Sequence, residues 1–479
     1  MKLSELLSGI SVLDSNVDMN LDITEVAYDS RKVTPGSLFV AIAGFAADGN
    51  RFIPMALEKG AVAVVTAKKP EGDIPWILVE NDRLALAHIG VNYYNHPVEA
   101  MTLIGVTGTN GKTSVTLLLK QVLESALGAK VGLIGTMSNL IGDVELPTER
   151  TTPESFELQG LFAQMRDAGC EYVVMEVSSH AIALDRVGGV HFDVAAFTNL
   201  TEDHLDFHKT MESYCDTKAE LFARCDKAVA NLDDEWFSRV LSKAQCPILA
   251  TSVMHDAALK AEDLQLHGGG ISFVAVHNGK SVPVTLPIPG KFTVYNALTV
   301  LGVALQLGIS LGSAAKGLKN AKGVRGRVEV VPTPGKPYTV LIDYAHTPDG
   351  LENVLTSVRD FCKGRLIAVF GCGGDRDPIK RPIMGKIGVS LSDFAVITSD
   401  NPRTEEPMAI IADILQGVNE KQGDYTVIED RRAAIRYAMD MAEENDIIVL
   451  AGKGHETYQE INGVKYHLDE REEVAANLQ

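Results

Sequence analysis

The distribution of apolar residues along the chain predicts a series of short strands. From residue 98 onward, stretches of helical pattern separate the apolar runs, whereas glycine-rich turns separate the runs nearer the N-terminus. The runs that we predict to be strands are residues 38–42, 62–66, 77–79, 104–107, 172–176, 194–198, 228–231, 339–343, 366–370, 394–398 and 447–451. Strands that alternate with helices are typical of parallel sheets, so the sequence predicts the α/β class.

Two breaks in this pattern mark the predicted domain boundaries. Pro97 follows Asn95 and His96 and pushes the residue before it out of helical geometry, which favours a linker. Residues 323–337 (GVRGRVEVVPTPGKP) are rich in glycine and proline. We therefore predict three domains, at residues 1–97, 98–328 and 329–479, and the chain length agrees with about three domains.

The composition is that of a globular protein without a membrane-inserted segment. Hydrophobic residues make up 46% of the chain, yet no apolar run approaches the roughly 18 residues of a membrane span. The N-terminus lacks the basic and then apolar layout of a secretory signal. Six cysteines are scattered without a C-x-x-C pair, which argues against a zinc site or disulfide framework and favours a reducing cytoplasm. The net charge of −19 disfavours nucleic-acid binding.

The strongest chemical signal is a glycine-rich loop between a predicted strand and a predicted helix. The apolar run ends at residues 108–113 (GTNGKT), and a helical pattern starts at once. In that order, backbone N–H groups and the helix dipole point at phosphates, Lys112 adds charge, and the Thr113 hydroxyl can bind Mg²⁺. The first glycine of the common form, G-x-x-x-x-G-K-[ST], would fall at Val106, so we expect a shorter variant. The sequence therefore predicts a nucleoside triphosphate site.

Two further predicted strands lead into polar residues that we expect at the same edge of the sheet, where ligands of open α/β sheets bind. Glu176 ends one strand, and His204 follows another. Glu176 is favoured as a Mg²⁺ ligand because a hard cation prefers oxygen. For His204, the spacing alone favours a loop histidine that is held by a hydrogen bond. His204 and His208 also have the i, i+4 spacing of zinc ligands, but no third ligand motif accompanies them. Lys218, in a helical stretch soon afterwards, is by itself an ordinary surface lysine.

The last third of the chain carries four polar loops, each at the carboxyl end of a predicted strand. These loops are residues 343–349 (DYAHTPD), 371–376 (GCGGDR), 400–403 (DNPR) and 452–456 (GKGHE). Arginine binds a carboxylate through two parallel hydrogen bonds, and an acid can hold an ammonium, so this combination suits a zwitterion. Solvated loops at a sheet edge would explain any one of the four but explain all four poorly.

Taken together, these motifs resemble those of the Mur ligase family, the ATP-dependent amide ligases of peptidoglycan synthesis. The resemblance covers essentially the whole chain and rests on residues 107–113 (TGTNGKT), 176–180 (EVSSH), 198–206 (TNLTEDHLD), 295–297 (YNA), 343–348 (DYAHTP) and 452–456 (GKGHE). Within the family, residues 151–153 (TTP) and 400–407 (DNPRTEEP) are similar to members that extend UDP-N-acetylmuramoyl-L-alanyl-D-glutamate. The DNPR form resembles members that add meso-2,6-diaminopimelate, since lysine-adding relatives typically lack its arginine.

The resemblance implies a three-domain fold and a two-step reaction. The N-terminal α/β domain would bind the UDP-sugar dipeptide, the central P-loop parallel-sheet domain ATP, and the C-terminal Rossmann-like α/β domain the amino acid. ATP would phosphorylate the γ-carboxylate of the D-glutamyl residue, and the amine of the amino acid would attack the acyl phosphate. Lys112 and Mg²⁺ would neutralise charge on the phosphoryl group. Lys218 would be carbamylated by CO₂ and so provide an oxygen ligand for a second Mg²⁺.

The same resemblance assigns roles to individual residues. Residues expected to act in catalysis are Lys112, Glu176, His204 and Lys218, and those expected to bind Mg²⁺ are Thr113, Glu176, His204 and carbamylated Lys218. Residues expected to bind ATP are Gly108, Thr109, Asn110, Gly111, Lys112, Thr113, Ser114, Asn296, Arg327 and Asp343. The UDP-sugar dipeptide is expected at Ser30, Thr151, Thr152, Ser178 and Arg186. Diaminopimelate is expected at Arg376, Asp400, Asn401, Pro402, Arg403, Gly452 and Glu456.

The chain departs from some relatives at two places on the UDP-sugar side. Phe45-Ala46-Ala47 stands where those relatives carry His-Gln-Ala, and Leu184 stands where they carry glutamine. We therefore expect the detailed contacts with the nucleotide-sugar to differ, while the reaction class stays the same.

Three alternative functions remain open at this stage. One is a lysine-adding member of the family, and another is a folylpolyglutamate-synthase-like ligase, which the Ser30 region and the Thr151-Thr152 pair disfavour. The third is a non-enzymatic nucleotide switch, which would need no amino-acid site, so the loops at 376, 400–403 and 452–456 count against it. We expect a cytoplasmic monomer, although no residue pattern bears on the oligomeric state.

Overall fold

The computed structural model of this chain describes residues 1–44, 48–418 and 423–478. It confirms the predicted α/β class, and the chain forms two compact units. The first comprises Met1–Thr251 and Gly302–Ile309, and the second comprises Ser252–Leu301 and Ser310–Gln479. The predicted domain boundaries at residues 97 and 328 stay predictions.

The first unit begins with a small sheet of order β1-β5-β4-β3-β2, in which only β1 is antiparallel to its neighbour. Its elements are α1 (Leu3–Leu6), β1 (Val12–Ser15), β2 (Glu25–Ala27), β3 (Ser37–Val40), α2 (Ile53–Glu58), β4 (Ala63–Thr66), β5 (Trp76–Val79) and α3 (Asp82–Tyr93). Successive side chains of a strand point to opposite faces. Leu38 and Val40 therefore join one hydrophobic core, and Phe39 and Ala41 join another.

A larger sheet in the same unit places the glycine-rich loop at its middle. Its elements are β6 (Thr102–Thr107), α4 (Lys112–Leu127), β7 (Val131–Ile134), β8 (Asn139–Ile141), β9 (Val144–Leu146), α5 (Ser155–Asp167), β10 (Tyr172–Glu176), α6 (Ser179–Ala183), β11 (Phe192–Phe197), α7 (Leu205–His208), α8 (Met211–Phe222), β12 (Cys225–Asn231), α9 (Phe237–Val240) and β13 (Ile248–Ser252). Strands β7-β10-β6-β11-β12-β13 are parallel, and β8 and β9 extend the β7 edge in antiparallel fashion. Since β6 lies between β10 and β11, the ends of these three strands meet at one edge.

The second unit begins with an antiparallel meander that the hydrophobic pattern did not predict. It consists of β14 (Leu259–His267), β15 (Gly270–His277) and β16 (Lys280–Leu286), followed by α10 (Lys291–Gln306) and α11 (Leu311–Lys319). Buried residues alternate with more exposed ones along β15, as expected for an antiparallel sheet that faces solvent on one side. The predicted alternation of parallel strands with helices therefore does not extend over residues 259–286.

A six-stranded sheet of order β17-β18-β22-β19-β20-β21 forms the rest of the second unit, and only β17 is antiparallel. Its elements are β17 (Glu329–Val331), β18 (Thr339–Asp343), α12 (Pro348–Arg359), β19 (Leu366–Phe370), α13 (Lys380–Leu391), β20 (Phe394–Ile397), α14 (Pro407–Leu415), β21 (Asp424–Val427), α15 (Arg431–Met441), β22 (Ile447–Ala451), the hairpin β23 (Tyr458–Ile461) and β24 (Val464–His467), and α16 (Glu470–Ala476). Helices cover both faces, so β19 and β22 are apolar along their whole length. Among the described residues, no helix has the length and apolar character that crossing a membrane requires.

Candidate active site

The glycine-rich loop connects β6 directly to α4, as the sequence predicted. Gly108 has a φ of +147°, and a Cβ at this position would lie 1.9 Å from Thr198 Oγ1, so only glycine fits. Val106 is fully buried within β6. The position where the common motif has its first glycine is therefore a strand residue here, which explains the shorter loop.

Lys112 folds back over the loop from the first turn of α4. Its Nζ donates hydrogen bonds to the carbonyl oxygens of Gly108 (2.9 Å) and Thr109 (2.8 Å). Burial lowers the pKa of Lys112, and the Glu176 carboxylate acts in the opposite direction. The lysine thus places its charge where the N–H groups of the loop and of the α4 N-terminus converge.

Glu176 ends β10 and faces the start of α4, as predicted. The side chain is buried, and its Oε2 accepts hydrogen bonds from Thr113 Oγ1 and Thr136 Oγ1, both at 3.0 Å. Its Oε1 accepts a hydrogen bond from the backbone N–H of Thr136 at 2.9 Å. Sequence reasoning missed Thr136, because it lies in the segment after β7 and belongs to none of the recognised motifs.

His204 lies in an exposed turn with a φ of +54°, next to a group of aromatic rings. Its ring centroid is 4.8 Å from that of His180 and 6.1 Å from that of Tyr214. His208 is buried instead, with its Nε2 2.8 Å from Ser179 Oγ, and burial lowers its pKa to about 4. No cluster of three or more metal-binding side chains occurs in the part of the chain that the structure describes. His208 thus has a hydrogen-bonding partner in the core.

Lys218 is buried, which contradicts the surface position that its local sequence suggested. Its side chain is 1% exposed, because α8 packs this face against the phosphate-loop edge of the sheet. Its Nζ donates to the Gly108 carbonyl oxygen at 2.9 Å and lies 4.6 Å from the Tyr214 ring centroid. Burial lowers the pKa of Lys218 well below its ordinary value, and the nearby Lys112 ammonium lowers it further. Lys218 therefore lies against the glycine-rich loop, close to Lys112.

Four of the residues expected on the UDP-sugar side, Thr151, Thr152, Ser178 and Arg186, are linked by hydrogen bonds that lead to Glu176. Thr152 Oγ1 donates to the backbone carbonyl of Glu176 at 2.8 Å and accepts from the backbone N–H of Ser178 at 3.2 Å. Arg186 Nη1 donates to the Thr152 carbonyl oxygen at 3.2 Å. The Thr151 and Thr136 hydroxyls are 3.0 Å apart. A continuous set of hydrogen bonds therefore connects this side to Thr113.

Ser30 lies apart from that set, at a cavity of about 1080 Å³ in the first unit. Among the residues that line the cavity are Tyr28, Ser30, Arg31, Lys32, Arg150 and Glu154. The lining is mixed in charge, since three basic side chains stand beside the carboxylates of Asp29, Glu149, Glu154 and Glu157. Leu184 lies at the C-terminal end of α6, and Phe45-Ala46-Ala47 lies outside the described residues.

In the second unit, the four polar loops leave adjacent strands at one edge, in the order β18, β22, β19 and β20. Asp343 ends β18, is buried, and accepts hydrogen bonds from the backbone N–H groups of Val328 (2.8 Å) and Ala345 (2.9 Å). Burial raises its pKa. Arg327 is exposed, with its guanidinium 5.6 Å from the Tyr344 ring centroid, and Asn296 is buried on α10.

The loop 400–403 after β20 is held by the hairpin β23–β24. Arg403 has a φ of +51°, and two backbone hydrogen bonds fix it there, one to the Glu460 carbonyl (3.0 Å) and one from the Asn462 N–H (2.7 Å). Its Nη1 donates to the Gly374 carbonyl at 2.8 Å, and its Nε lies 3.5 Å from Glu460 Oε2. A strained backbone held this firmly is typical of a binding site.

The remaining residues of this edge include two buried groups and one exposed one. Asn401 is buried, and its Nδ2 donates to Glu456 Oε2 at 2.8 Å. Asp400 is buried as well, with Oδ2 3.9 Å from Arg431 Nη1. Arg376 is exposed. The edge thus combines two arginines, Arg376 and Arg403, with the carboxylates of Asp400 and Glu456, as the zwitterion hypothesis requires.

Three family models match the chain. They are described as Mur ligase family, catalytic domain (residues 22–94), Mur ligase middle domain (residues 106–304) and Mur ligase, glutamate ligase domain (residues 326–454). A protein of Clostridium tetani is 48% identical over 99% of this chain and 98% of its own length. A protein of Clostridium botulinum is 49% identical over 95% of this chain and 94% of its own. Both are named UDP-N-acetylmuramoyl-L-alanyl-D-glutamate--2,6-diaminopimelate ligase.

Solved structures agree with these relatives. A ligase of the same name is 32% identical with a TM-score of 0.78, over 100% of this chain and 98% of its own. The folylpolyglutamate synthase of Thermotoga maritima has a TM-score of 0.59 at 18% identity, over 77% of this chain and 90% of its own, and shows the shared fold alone. The sequence motifs, the fold and the near full-length relatives together lead to one conclusion. The chain belongs to the Mur ligase family.

Proposed function

We propose that this chain is the ATP-dependent ligase that joins meso-2,6-diaminopimelate to UDP-N-acetylmuramoyl-L-alanyl-D-glutamate. The observation that carries the proposal is the loop 400–403, in which Arg403 is held in a strained conformation and Asn401 donates a hydrogen bond to Glu456. The names of the near full-length relatives support the same reaction. The product would serve peptidoglycan synthesis in the cytoplasm, and we propose that the enzyme acts as a monomer.

Phosphoryl transfer would take place at the phosphate loop, formed by Gly108, Thr109, Asn110, Gly111, Lys112, Thr113 and Ser114. Lys112 Nζ would exchange its two carbonyl partners for phosphate oxygens. The oxygens of Thr113 and Glu176, 3.0 Å apart, are a donor set that suits Mg²⁺, and His204 would complete it. Bound Mg²⁺ would neutralise charge on the phosphates. The γ-carboxylate of the substrate would take the phosphoryl group, and the free amine of the amino acid would then displace phosphate.

We propose that Lys218 is carbamylated and binds a second Mg²⁺. A protonated lysine cannot bind a cation, whereas its carbamate presents two oxygens. The lowered pKa of the buried amine favours the neutral form that reacts with CO₂. Its position against the Gly108 carbonyl would place the carbamate at the phosphate loop.

The three substrates would be divided among separate groups of residues. Asn296, Arg327 and Asp343 would hold the nucleotide, and Ser30, Thr151, Thr152, Ser178 and Arg186 the UDP-sugar dipeptide. The cavity beside Ser30 supports the second assignment, because its volume of about 1080 Å³ is large enough for a nucleotide-sugar, and Arg31, Lys32 and Arg150 in its lining could pair with a diphosphate. Arg376, Asp400, Asn401, Pro402, Arg403, Gly452 and Glu456 would hold diaminopimelate.

Selection between diaminopimelate and lysine would depend on Arg403. The far end of diaminopimelate carries a carboxylate and an amine, whereas that of lysine carries only an amine. Arg403 can pair with this carboxylate through its guanidinium, whereas with lysine it would face an ammonium and keep only Glu460, 3.5 Å from its Nε. Loss of one charge-assisted pair costs about 1.5–3 kcal/mol, or roughly ten- to 150-fold in discrimination.

One assay tests the proposal against its alternatives. Phosphate release from ATP is measured with UDP-N-acetylmuramoyl-dipeptide in the presence of diaminopimelate, lysine or neither. We expect turnover with diaminopimelate alone. Turnover with lysine but not diaminopimelate would identify a lysine-adding ligase, and turnover with neither would favour a nucleotide switch.

A further inference from the structure

Lys453 lies behind the amino-acid loops as a fully buried cation. It follows β22, its side chain is 0% exposed, and none of the roles assigned above uses it. Its Nζ donates to Asn401 Oδ1 at 3.0 Å and to Glu456 Oε2 at 3.2 Å. Burial of an ammonium is unfavourable unless partners compensate it. Both of these partners are residues that we assign to diaminopimelate.

The contacts of Lys453 fix the orientation of the Asn401 amide. Asn401 Oδ1 accepts from Lys453 Nζ and also from the backbone N–H of Glu460 at 2.9 Å. Its Nδ2 donates one hydrogen to Glu456 Oε2 at 2.8 Å. Both lone pairs of Oδ1 already accept a hydrogen bond. If the amide were flipped, its NH₂ group would face two donors, the Lys453 ammonium and the Glu460 N–H. The only group of this amide left for a ligand is therefore an N–H donor.

The same contacts leave Glu456 as a hydrogen-bond acceptor for a ligand. Its Oε2 accepts from both Lys453 and Asn401, which leaves Oε1 as an acceptor on a half-buried side chain. A donor at Asn401 and an acceptor at Glu456 match the carboxylate and the ammonium of one amino-acid centre. Without the cation, only the Glu460 N–H would still donate to Asn401 Oδ1, and Glu456 Oε2 would keep one of its two donors, so both side chains would be held less firmly.

We propose that Lys453 is a positioning residue that acts through Asn401 and Glu456 to set the donor and acceptor polarity of the amino-acid site. The inference rests on the proposed function, because that function makes these two residues ligands of the amino acid. It assigns Lys453 no contact with substrate. Replacing Lys453 should therefore change the KM for the amino acid and not the KM values for the other two substrates. The change should also depend on whether an ammonium group occupies the position of Lys453 Nζ.

The test compares Michaelis constants for all three substrates in Lys453→Met, Lys453→Ala and Lys453→Gln. We expect Lys453→Met to raise the KM for diaminopimelate about 10- to 100-fold, with the KM values for ATP and the UDP-dipeptide changed less than about twofold. Propylammonium should partly restore the KM for diaminopimelate in Lys453→Ala but not in Lys453→Met, whose side chain fills the space. The matched control is Lys465→Met, since Lys465 is exposed on β24 with its Nζ 4.1 Å from the Tyr458 ring centroid.

Lys453→Gln keeps hydrogen-bond donors and serves if the other variants do not fold. It should raise the KM for diaminopimelate selectively but by less than Lys453→Met. Equal changes in all three KM values, or no change for diaminopimelate, would overturn the proposal. If the wild-type protein turns over lysine instead of diaminopimelate, the proposed function is refuted. The role of Lys453 can still be tested in that case, because the same KM comparison can be made with lysine.

Discussion

Lys218 Nζ donates a hydrogen bond to the Gly108 carbonyl oxygen at 2.9 Å, which ties α8 to the phosphate loop. The two residues are 110 positions apart in sequence. The contact brings the proposed carbamate and the proposed phosphate site together within the first unit.

Lys218→Ala should reduce the rate of ligation at least about 100-fold, because the oxygens that would bind the second Mg²⁺ are lost with the carbamate. Added short carboxylates should partly restore the rate, since they can supply similar oxygens. Phosphate release with and without formate or acetate measures both effects. Lys243→Ala, on an exposed lysine paired with Glu220, is the control. A Lys218→Ala protein with full activity would remove the carbamate hypothesis.

Arg403→Ala should raise the KM for diaminopimelate about ten- to 150-fold and leave the KM for ATP nearly unchanged. The reason is the loss of one charge-assisted pair with the far carboxylate. Steady-state kinetics with each substrate varied in turn measure both constants. Arg436→Ala removes an exposed arginine on α15 that bonds Asn477 and should change neither. Equal increases in both constants would mean that Arg403 is structural.

Glu176→Gln should raise the Mg²⁺ concentration for half-maximal activity at least about tenfold. The substitution keeps the shape of the side chain but removes the charge that faces Thr113. The measurement is the rate of ligation in a Mg²⁺ titration at saturating ATP. Glu171→Gln, at an exposed position just before β10, should leave the titration unchanged. An unaltered titration in Glu176→Gln would exclude Glu176 as a ligand.

Asp446→Asn should destabilise the second unit at pH 7 by about 1–2 kcal/mol. Asp446 accepts hydrogen bonds from the Arg365 guanidinium and from the backbone N–H groups of Arg365 and Glu443. Burial raises its pKa, but these bonds outweigh burial and hold the pKa below its ordinary value. A lowered pKa means that the contribution is present above the unfolded pKa of about 4 and is lost as the pH falls through the folded pKa.

Thermal unfolding of wild type and Asp446→Asn between pH 7 and pH 3 measures this difference. The gap in melting temperature should shrink as the pH falls. Asp440→Asn, at an exposed position on α15, is the control. A gap that is constant over this range would show that the charge of Asp446 does not contribute.

The sequence predicted the parallel strands and the sites at their carboxyl ends because both follow from local patterns. Glu176 and Thr113 face each other because β10 pairs with β6, and the alternation of strands and helices predicts such neighbours. The meander of β14–β16 was missed, although its strands alternate polar and apolar residues and two-residue turns join them at Gly268-Gly269 and Asn278-Gly279, a pattern typical of hairpins.

Lys218 and His208 show why local spacing failed for single side chains. The burial of Lys218 depends on which face of α8 packs against the sheet, and the helix sequence alone does not identify that face. The i, i+4 spacing of His204 and His208 is that of zinc ligands, which the lack of a third ligand motif disfavoured, but no local pattern predicted that Ser179, from another segment, is the partner of His208. Lys453 was within a recognised motif, yet its role depends on Asn401, 52 residues away.

Gly326 has a φ of +72°, and a Cβ there would lie 2.4 Å from the backbone of Gly454 and of His455. The segment that carries Arg327 and the segment that carries Glu456 are therefore in backbone contact. If Arg327 and Glu456 have the roles proposed, the nucleotide and the amino acid are bound by two loops whose backbones are in contact, so that neither loop can move without the other. One substitution at residue 326 would thus alter the affinity for both substrates, although the residue touches neither.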